Sequence, residues 1–340
     1  MKGGEKMGKN VKNKTVLSSL FIIMLMVFTT FSANADDRTV LIGGEAFGLK
    51  LYCKGVMITK LDGFSSENGD VCPAEQAGLK QNDIITAVNG NTIKTNDELS
   101  DAVKNSNGKE LVLTVLRDGK TKTIRIKPQK SDDKNFYTGI WVRDSCAGLG
   151  TISYYDTKSM TYGALGHGIC DIDTGSIIES DEGEILPATI SSVTKSKNND
   201  IGTLNGYFQG MTIGSMTENS PLGIFGKLRA YPEKDEIYTI ADKSEVKTGS
   251  AELITTLSGT KPQRYEIEIT DINNDYKNSN TNLTVKITDK RLLDKTGGIV
   301  QGMSGSPIIQ NGKFAAALTH VFLDDCKSGY AILAQNLVKE

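Results

Sequence analysis

Hydrophobic and polar residues alternate with a period of two in several short stretches of this chain. Leu111, Leu113 and Val115 stand two positions apart, and the same period runs through Tyr265–Ile269. This period places alternate side chains on one face of a strand, so these stretches are predicted to be half-buried β-strands. No long segment with a helical period occurs in the last 200 residues. The 35 glycines suit many short strands joined by tight turns, and the chain is predicted to be mainly β.

The stretch between residues 72 and 103 predicts a helix, a strand and a second helix. Cys72–Leu79 reads CPAEQAGL, a short helix ended by glycine. Asp83–Gly90 reads DIITAVNG, a strand closed by an Asn-Gly turn. The second helix is predicted over Thr95–Val103, capped by Thr95 or Asn96. This order of motifs resembles a PDZ domain, predicted over residues 36–128.

Near the start of this domain, Phe47-Gly48-Leu49 resembles a PDZ carboxylate-binding loop. In such a loop, successive backbone N–H groups hold the carboxyl end of a peptide, which adds as a strand. The same residues also fit an ordinary turn into the first long strand. A polar, charged linker is predicted over residues 129–136, followed by a second domain over residues 137–340.

Within that second domain, Gly302–Pro307 reads GMSGSP, the form of the nucleophile loop in chymotrypsin-like serine proteases. Gly302 lets the backbone turn so that its own N–H and that of Ser304 converge on one point. Such a point is an oxyanion hole, where negative charge develops on a substrate carbonyl during acyl transfer. A glycine-flanked serine also occurs in ordinary tight turns, so the loop needs a partner base.

The chain has two histidines, His167 and His320, from which to choose that base. A serine hydroxyl becomes a useful nucleophile when a neutral imidazole lies within hydrogen-bond reach. His167 is favoured because small residues flank it in YGALGHGI, although a structural histidine in a glycine-rich turn has the same appearance. The order His then Ser also fits a protease of two β-barrels. Cys170 is a weaker alternative nucleophile, because it has no glycine-built oxyanion loop.

A carboxylate is expected to orient the imidazole and to stabilise its protonated form. Local pattern does not choose among the aspartates near the two motifs, because most exposed carboxylates are simply solvated. The residues that remain open are Asp171, Asp173, Asp200, Asp235, Asp242, Asp289 and Asp294.

Three motifs together resemble the SpoIVB peptidase family of spore-forming bacteria: RDSCAGLGT at Arg143–Thr151, YGALGH ending at His167, and GGIVQGMSGSP ending at Pro307. The resemblance implies a PDZ domain followed by a chymotrypsin-like double β-barrel peptidase domain, without a cofactor. It also implies a catalytic triad of His167, Ser304 and Asp289, the last lying 15 positions before the serine.

The same resemblance implies a biological role. Members of this family resemble signalling endopeptidases that are exported into the space between the forespore and mother-cell membranes. There they process themselves and cleave a membrane-associated regulator of an intramembrane protease, which leads to sigma-factor activation. A second hypothesis is a catalytically inactive PDZ adaptor in the same compartment. The presence of Ser304, His167 and Asp289 favours the enzyme.

The amino-terminal residues predict export. Five lysines precede an apolar run over residues 16–31, and Ala33-Asn34-Ala35 offers a cleavage point, so residues 1–35 read as a signal peptide or an uncleaved membrane anchor. Without them the net charge is about −6, and no basic stripe remains. Nucleic acid is therefore not an expected partner.

The five cysteines are widely spaced and form no metal-ligand pattern. In an exported chain Cys146 could pair with Cys170, or both could remain thiols.

His320 follows the serine loop on a predicted strand. In chymotrypsin-like proteases that strand leads to the pocket for the side chain just before the cut, and some relatives that prefer Glu or Gln place a histidine there. An imidazole in this place would donate a hydrogen bond to a carboxylate or amide. The alternative is a buried histidine that stabilises the second barrel.

Overall fold

The computed structural model describes residues 38–339 except 68, 181, 209, 231, 235 and 274–278. The predicted signal or anchor segment and Asp235 lie outside the described residues. Among the residues that are described, no helix is long and apolar enough to cross a membrane.

Strands dominate the described chain, and helices are few and short. The strands are β1 (Thr39–Ile42), β2 (Ala46–Leu61), β3 (Phe64–Ser66), β4 (Gly69–Val71), β5 (Ile84–Val88), β6 (Asn91–Thr92), β7 (Leu111–Arg117), β8 (Lys120–Ile126), β9 (Gln129–Lys130), β10 (Phe136–Tyr137), β11 (Ile140–Asp156), β12 (Thr161–Ala164), β13 (Glu182–Thr194), β14 (Thr203–Phe208), β15 (Gly214–Ser220), β16 (Gly223–Leu228), β17 (Ile237–Thr239), β18 (Gly249–Thr255), β19 (Gln263–Ile272), β20 (Leu283–Ile287), β21 (Pro307–Gln310), β22 (Lys313–Val321) and β23 (Ser328–Leu333). The helices are α1 (Pro73–Gln76), α2 (Asn96–Asn105), α3 (Lys290–Thr296) and α4 (Ala334–Leu337).

The first barrel is a closed ring of antiparallel pairings. β2 pairs with β11, and the ring continues through β12, β16, β15 and β13 back to β2. Leu51, Ile152, Tyr162 and Ile185 are buried inside it, because alternate residues of each strand face inward. β1 extends this sheet by pairing with β11 and β17.

The second barrel closes in the order β18, β19, β20, β23, β22 and β21. The alternating residues of β19 and β20 supply part of its core, including Ile267 and Val285. The predicted strands at Tyr265–Ile269 and Leu283–Ile287 are thus confirmed, as is the mainly β class of the fold. The site described below lies between the two barrels.

The PDZ part begins with the second half of β2, which pairs with β5 at Val56 and Met57. Val56 pairs with Ile85 of β5, and β7 and β8 continue the sheet. Helix α2 begins after Thr95, whose hydroxyl accepts from the Glu98 N–H, while the Glu98 carboxylate accepts from the Thr95 N–H. This reciprocal capping box confirms the predicted helix start.

The structure divides the chain differently from the boundaries given above. Residues 46–52 of β2 lie in the first barrel and β1 extends its sheet, and the PDZ part is an insertion between the barrel halves of β2 and β11. The sequence could not show this, because a strand alternates in the same way whichever sheet it joins. Residues 129–136 are also more ordered than a linker, since β9 pairs with β10.

Candidate active site

Ser304, His167 and His320 meet in one cavity of about 630 Å³ between the barrels. Ser304 comes from the loop that precedes β21, and His320 lies near the end of β22. His167 follows β12 of the first barrel. The two barrels therefore each supply one part of a serine–histidine arrangement, as the order of the motifs predicts.

The Ser304 loop depends on two glycines in the left-handed region. Gly302 has φ +98° and Gly305 has φ +93°. A Cβ at Gly305 would lie 2.1 Å from the Thr151 carbonyl oxygen, so no side chain fits there. Within the described residues, the backbone N–H groups of Gly302 and Ser304 donate to no protein acceptor. This is the arrangement expected of an oxyanion hole before substrate binds.

Strand β11 holds that loop in place from the opposite barrel. The Thr151 N–H donates to the Ser304 carbonyl at 3.1 Å, and the Thr151 hydroxyl donates to the Gly302 carbonyl at 2.8 Å. The Ser153 hydroxyl donates to the Gly305 carbonyl at 2.8 Å. A search for catalytic residue types in the sequence does not find these two side chains, although Thr151 ends the RDSCAGLGT motif and Ser153 lies two residues beyond it.

His167 approaches β22 closely because Gly166 precedes it. A Cβ at Gly166, which has φ +69°, would lie 2.7 Å from the Thr319 side chain. The His167 Nδ1 lies 2.8 Å from the Gly168 carbonyl oxygen. Because a carbonyl oxygen can only accept a hydrogen bond, Nδ1 carries the proton and Nε2 is the basic nitrogen. Burial lowers the pKa of His167 below its ordinary value. The imidazole is consequently neutral at neutral pH, as a general base must be.

The ring of the second histidine packs against the first at a tilt. The ring centroids of His167 and His320 are 5.0 Å apart, with the planes tilted by 37°. Desolvation by the protein, with a smaller contribution from the charge of His167, lowers the pKa of His320 to about 4. The Ser304 Oγ itself donates to the Thr319 carbonyl at 2.7 Å, one residue before His320.

The structure does not bring Asp289 to this cavity. Its carboxylate caps helix α3, accepting from the N–H groups of Arg291 and Glu266, and it forms an ion pair with the Arg291 guanidinium at 2.6 Å. The Arg291 side chain is the main cause that lowers the Asp289 pKa to about 2. In this conformation the Gly168 carbonyl occupies the position at His167 Nδ1 that an acid would take. Asp289 here caps a helix and does not contact His167, and its role as the orienting acid stays a prediction.

Of the described carboxylates that the sequence left open, Asp171 alone lines the cavity. Its side chain is fully buried, and it forms an ion pair with Arg143 of β11 at 2.7 Å. Asp173 contacts the same guanidinium at 2.8 Å. Neither aspartate contacts the imidazole. Both instead connect the loop that follows His167 to Arg143.

Phe47, Gly48 and Leu49 do not form a carboxylate-binding loop. They lie in β2, paired with β11 on one edge and with β13 on the other. A strand with both edges paired has no backbone N–H groups left for a peptide terminus. Phe47 and Leu49 instead form part of the apolar wall of the cavity.

Two of the cysteines lie at the cavity. Cys146 and Cys170 both line the cavity, and all five cysteines are free thiols. Burial raises the thiol pKa of Cys146 and of Cys170, which opposes formation of a nucleophilic thiolate. Across the described chain, no group of three or more His, Cys, Asp or Glu residues is placed to hold a metal ion.

Two family models match this chain. One, described as SpoIVB peptidase S55, matches residues 134–338, and one described as PDZ domain matches residues 67–127. Both regions agree with the peptidase and PDZ parts of the fold.

Similar curated proteins match shorter stretches. A probable periplasmic serine protease do/HhoA-like of Haemophilus influenzae is 44% identical over 70 residues, which are 20% of this chain and 15% of that protein. The zinc metalloprotease RasP of Oceanobacillus iheyensis is 35% identical over 63 residues, 18% of this chain and 15% of that protein. The chain thus spans less than a fifth of the length of these relatives.

Among solved structures, the active form of the Rv3671c protease from M. tuberculosis is similar with a TM-score of 0.32 and 14% sequence identity. The match covers 56% of this chain and 71% of that one.

Proposed function

Because the SpoIVB peptidase S55 model matches residues 134–338, more than half of this chain, the chain belongs to that family, and we propose that Ser304 and His167 carry out its peptidase chemistry. The chain is a PDZ-containing serine endopeptidase. The observation that carries the proposal is the meeting of Ser304, two free N–H groups and the His167 imidazole in one cavity.

The proposed reaction follows from these groups. The Ser304 hydroxyl turns from the Thr319 carbonyl to His167 Nε2, which takes its proton as Oγ attacks the substrate carbonyl carbon. The N–H groups of Gly302 and Ser304 then donate to the oxyanion. The imidazolium gives its proton to the leaving amine, and a water molecule hydrolyses the acyl-enzyme by the same steps.

A polypeptide substrate has a strand edge on which to lie. Thr151 directs its N–H and carbonyl away from β2, towards Ser304 and Leu165. Because backbone groups alternate along a strand, those of Leu149 and Ala147 face the same way, into the cavity. We propose that an extended substrate pairs with this edge of β11 and passes the Ser304 hydroxyl.

The PDZ part offers a separate place for peptide ends. Helix α2 and the first residues of β11 flank a groove of about 430 Å³, lined by Leu99, Val103, Ile140 and Trp141. Trp141 is 62% exposed, which is unusual for an apolar side chain of this size. We propose that this groove, rather than Phe47–Leu49, receives peptide termini.

The biological role is also a proposal, supported by family membership and by the apolar segment over residues 16–31. The protease would be exported and membrane-associated, would process itself, and would cleave a membrane-associated regulator of an intramembrane protease during sporulation, leading to sigma-factor activation. The likeness to a probable periplasmic protease supports a location outside the cytoplasm.

A second candidate function is the inactive PDZ adaptor. It is favoured by one observation, the hydrogen bond of Ser304 Oγ to the Thr319 carbonyl rather than to His167.

One experiment separates the two functions. Purified wild type is incubated, new amino termini are mapped by mass spectrometry, and Ser304 is tested for labelling by a fluorophosphonate. We expect Ser304→Ala to abolish both, and His167→Ala to lower the rate by on the order of 10⁴-fold, with the double variant little worse.

Ser306→Ala is the matched control, because Ser306 lies in the same loop but is fully buried away from the cavity. It should retain self-cleavage and labelling. Wild type that neither cleaves nor labels would support the adaptor, and labelling that survives in Ser304→Ala would remove Ser304 from the mechanism.

A further inference from the structure

Strand β11 joins the PDZ part to the cavity, and its register against β2 shifts between Arg143 and Ser145. Such an irregularity bends a strand and re-aims its side chains. On the PDZ side of the shift, β11 borders the groove beside α2, and on the other side it holds the Ser304 loop. The two residues at the shift, Arg143 and Asp144, contact different parts of the protein.

Arg143 contacts the loop that follows His167. Its guanidinium lies between the buried Asp171 carboxylate, at 2.7 Å, and Asp173, at 2.8 Å. Asp171 in turn shapes the loop, because its Oδ1 accepts from the N–H groups of Asp173 and Thr174, and its own N–H donates to Ser176. A planar guanidinium can hold two carboxylates at once, which an ammonium cannot do equally well.

Asp144 contacts the PDZ helix instead. Its Oδ2 accepts from the backbone N–H of Asn96, the first residue of α2, at 2.9 Å. That N–H is one of the donors that a helix cannot satisfy internally, and a carboxylate there also interacts favourably with the helix dipole. Neighbouring residues of one strand therefore bond the PDZ helix and the loop of the catalytic histidine.

We propose that Arg143 is a positioning residue for His167, and that the Asp144–Asn96 bond makes the position of Arg143 depend on the PDZ helix. This inference rests on the proposed role of His167 as the base. A displaced α2 would move Asp144, then Arg143 and the Asp171 loop, and the imidazole would lose its place beside Ser304. The PDZ part would thus set the rate of acylation as well as select peptides.

The test follows the rate of Ser304 labelling by a fluorophosphonate in the full chain, against pH, together with melting temperatures. The charged and titratable groups around His167 in the cavity are His320 from β22, Arg143 and Cys146 from β11, and Cys170 and Asp171 of its own segment. Since burial depresses the His167 pKa, a displaced loop that admits water should move the acid limb of the rate profile upwards.

We expect Arg143→Gln to slow labelling on the order of a hundredfold and to raise the acid limb. Arg143→Lys should restore part of both. Asp144→Ala should slow labelling about tenfold and shift the limb in the same direction. A small misplacement of the reacting groups is enough to cost a factor of ten in rate. Asp97→Asn is the matched control, because it removes a helix-stabilising charge from the first turn of α2 at a residue that does not contact β11. It should behave as wild type.

An unmoved acid limb in Arg143→Gln, whatever its rate, would overturn the positioning role. Equal effects of Asp144→Ala and Asp97→Asn would overturn the link to the PDZ helix. If Arg143→Gln does not fold, Asp173→Asn decides, because it removes only the more exposed carboxylate and should give a smaller slowing with the same shift. Labelling of Ser304→Ala would instead show that the proposed function itself has failed.

Discussion

The Thr151 hydroxyl donates a hydrogen bond of 2.8 Å to the Gly302 carbonyl, across the interface of the two barrels. Thr151 is fully buried, whereas Gly302 is half-buried, so the hydroxyl makes this bond from the protein interior. The bond fixes the direction of the peptide unit next to the N–H groups of Gly302 and Ser304, which we propose as the oxyanion hole. A residue of the first barrel thereby contributes to the nucleophile loop of the second.

Replacing Thr151 by valine keeps the shape of the side chain and removes the donor. We expect Thr151→Val to lose about 0.5–1.5 kcal/mol of unfolding free energy, because the half-buried Gly302 carbonyl loses its donor, and to lower kcat about tenfold. Thr151→Ser, which keeps the hydroxyl, should recover most of the activity. Steady-state kinetics on a short peptide and urea unfolding measure the two effects, and a fully active valine variant would show that the bond does not orient the loop.

The depressed pKa of His167 makes a prediction about pH. The base must be neutral, so kcat/KM should fall only at a pH below the ordinary value of 6.5. The unfolding free energy should change with pH in the same direction as the activity. The unfolded chain binds more protons than the folded one between pH 6.5 and the lowered values, which for His320 is about 4, so unfolding free energy decreases as pH falls through this window. Melting temperatures recorded at each pH separate the two effects, and an acid limb above 6.5 would contradict the buried, neutral imidazole.

The family resemblance implies a catalytic role for Asp289, whereas its contacts in the structure are those of a helix cap. Asparagine is also a good helix cap, so Asp289→Asn should keep the bond from the Arg291 N–H, lose the ion pair with Arg291 and the bond from the Glu266 N–H, and keep kcat within a few-fold of wild type. Arg291→Gln removes the same ion pair from its exposed partner and is the matched control. A loss of several orders of magnitude in Asp289→Asn alone, with an unchanged melting temperature, would return Asp289 to the catalytic mechanism.

Some features of the site can be predicted from local sequence, and others depend on distant residues. The Ser304 loop could be predicted because Gly302 and Gly305 need left-handed backbone wherever the loop sits, and His167 because few alternatives existed. Phe47–Leu49 and Asp289 could not, since their roles depend on which strand or side chain becomes their neighbour in the fold. A local pattern has no information about those partners.

His320 lines the same cavity as Ser304, and its role in a pocket for the side chain before the cut stays a prediction. If its imidazole reads the side chain before the cut, His320→Ala should change the preference of the enzyme at that residue in a peptide library, with stability nearly unchanged. His320→Gln keeps a hydrogen-bond donor and should retain part of the preference. An unaltered preference together with a lower melting temperature would leave His320 as a structural residue.

The topology of β2 and β11 predicts how the PDZ part can be removed. Deleting residues 39–128 takes away β1 and the barrel half of β2, so the first barrel loses a strand of its closed ring. That deletion should abolish folding of the peptidase part. Excision of residues 56–142 is different, because Tyr52 and Ser145 are cross-strand neighbours. Joining Gly55 to Arg143 turns the insertion into a short hairpin loop, a length that antiparallel strands accommodate.

We therefore expect the excised chain to fold and to retain measurable Ser304 labelling by a fluorophosphonate, while the 39–128 deletion yields no cooperative melting transition. Ser304→Ala in the excised chain is the control for specific labelling. Cleavage of a protein substrate should fall more than that of a short peptide, because the groove lined by Leu99 and Trp141 is lost. An excised chain that fails to melt cooperatively would mean that the PDZ part stabilises the first barrel through contacts beyond the hairpin root.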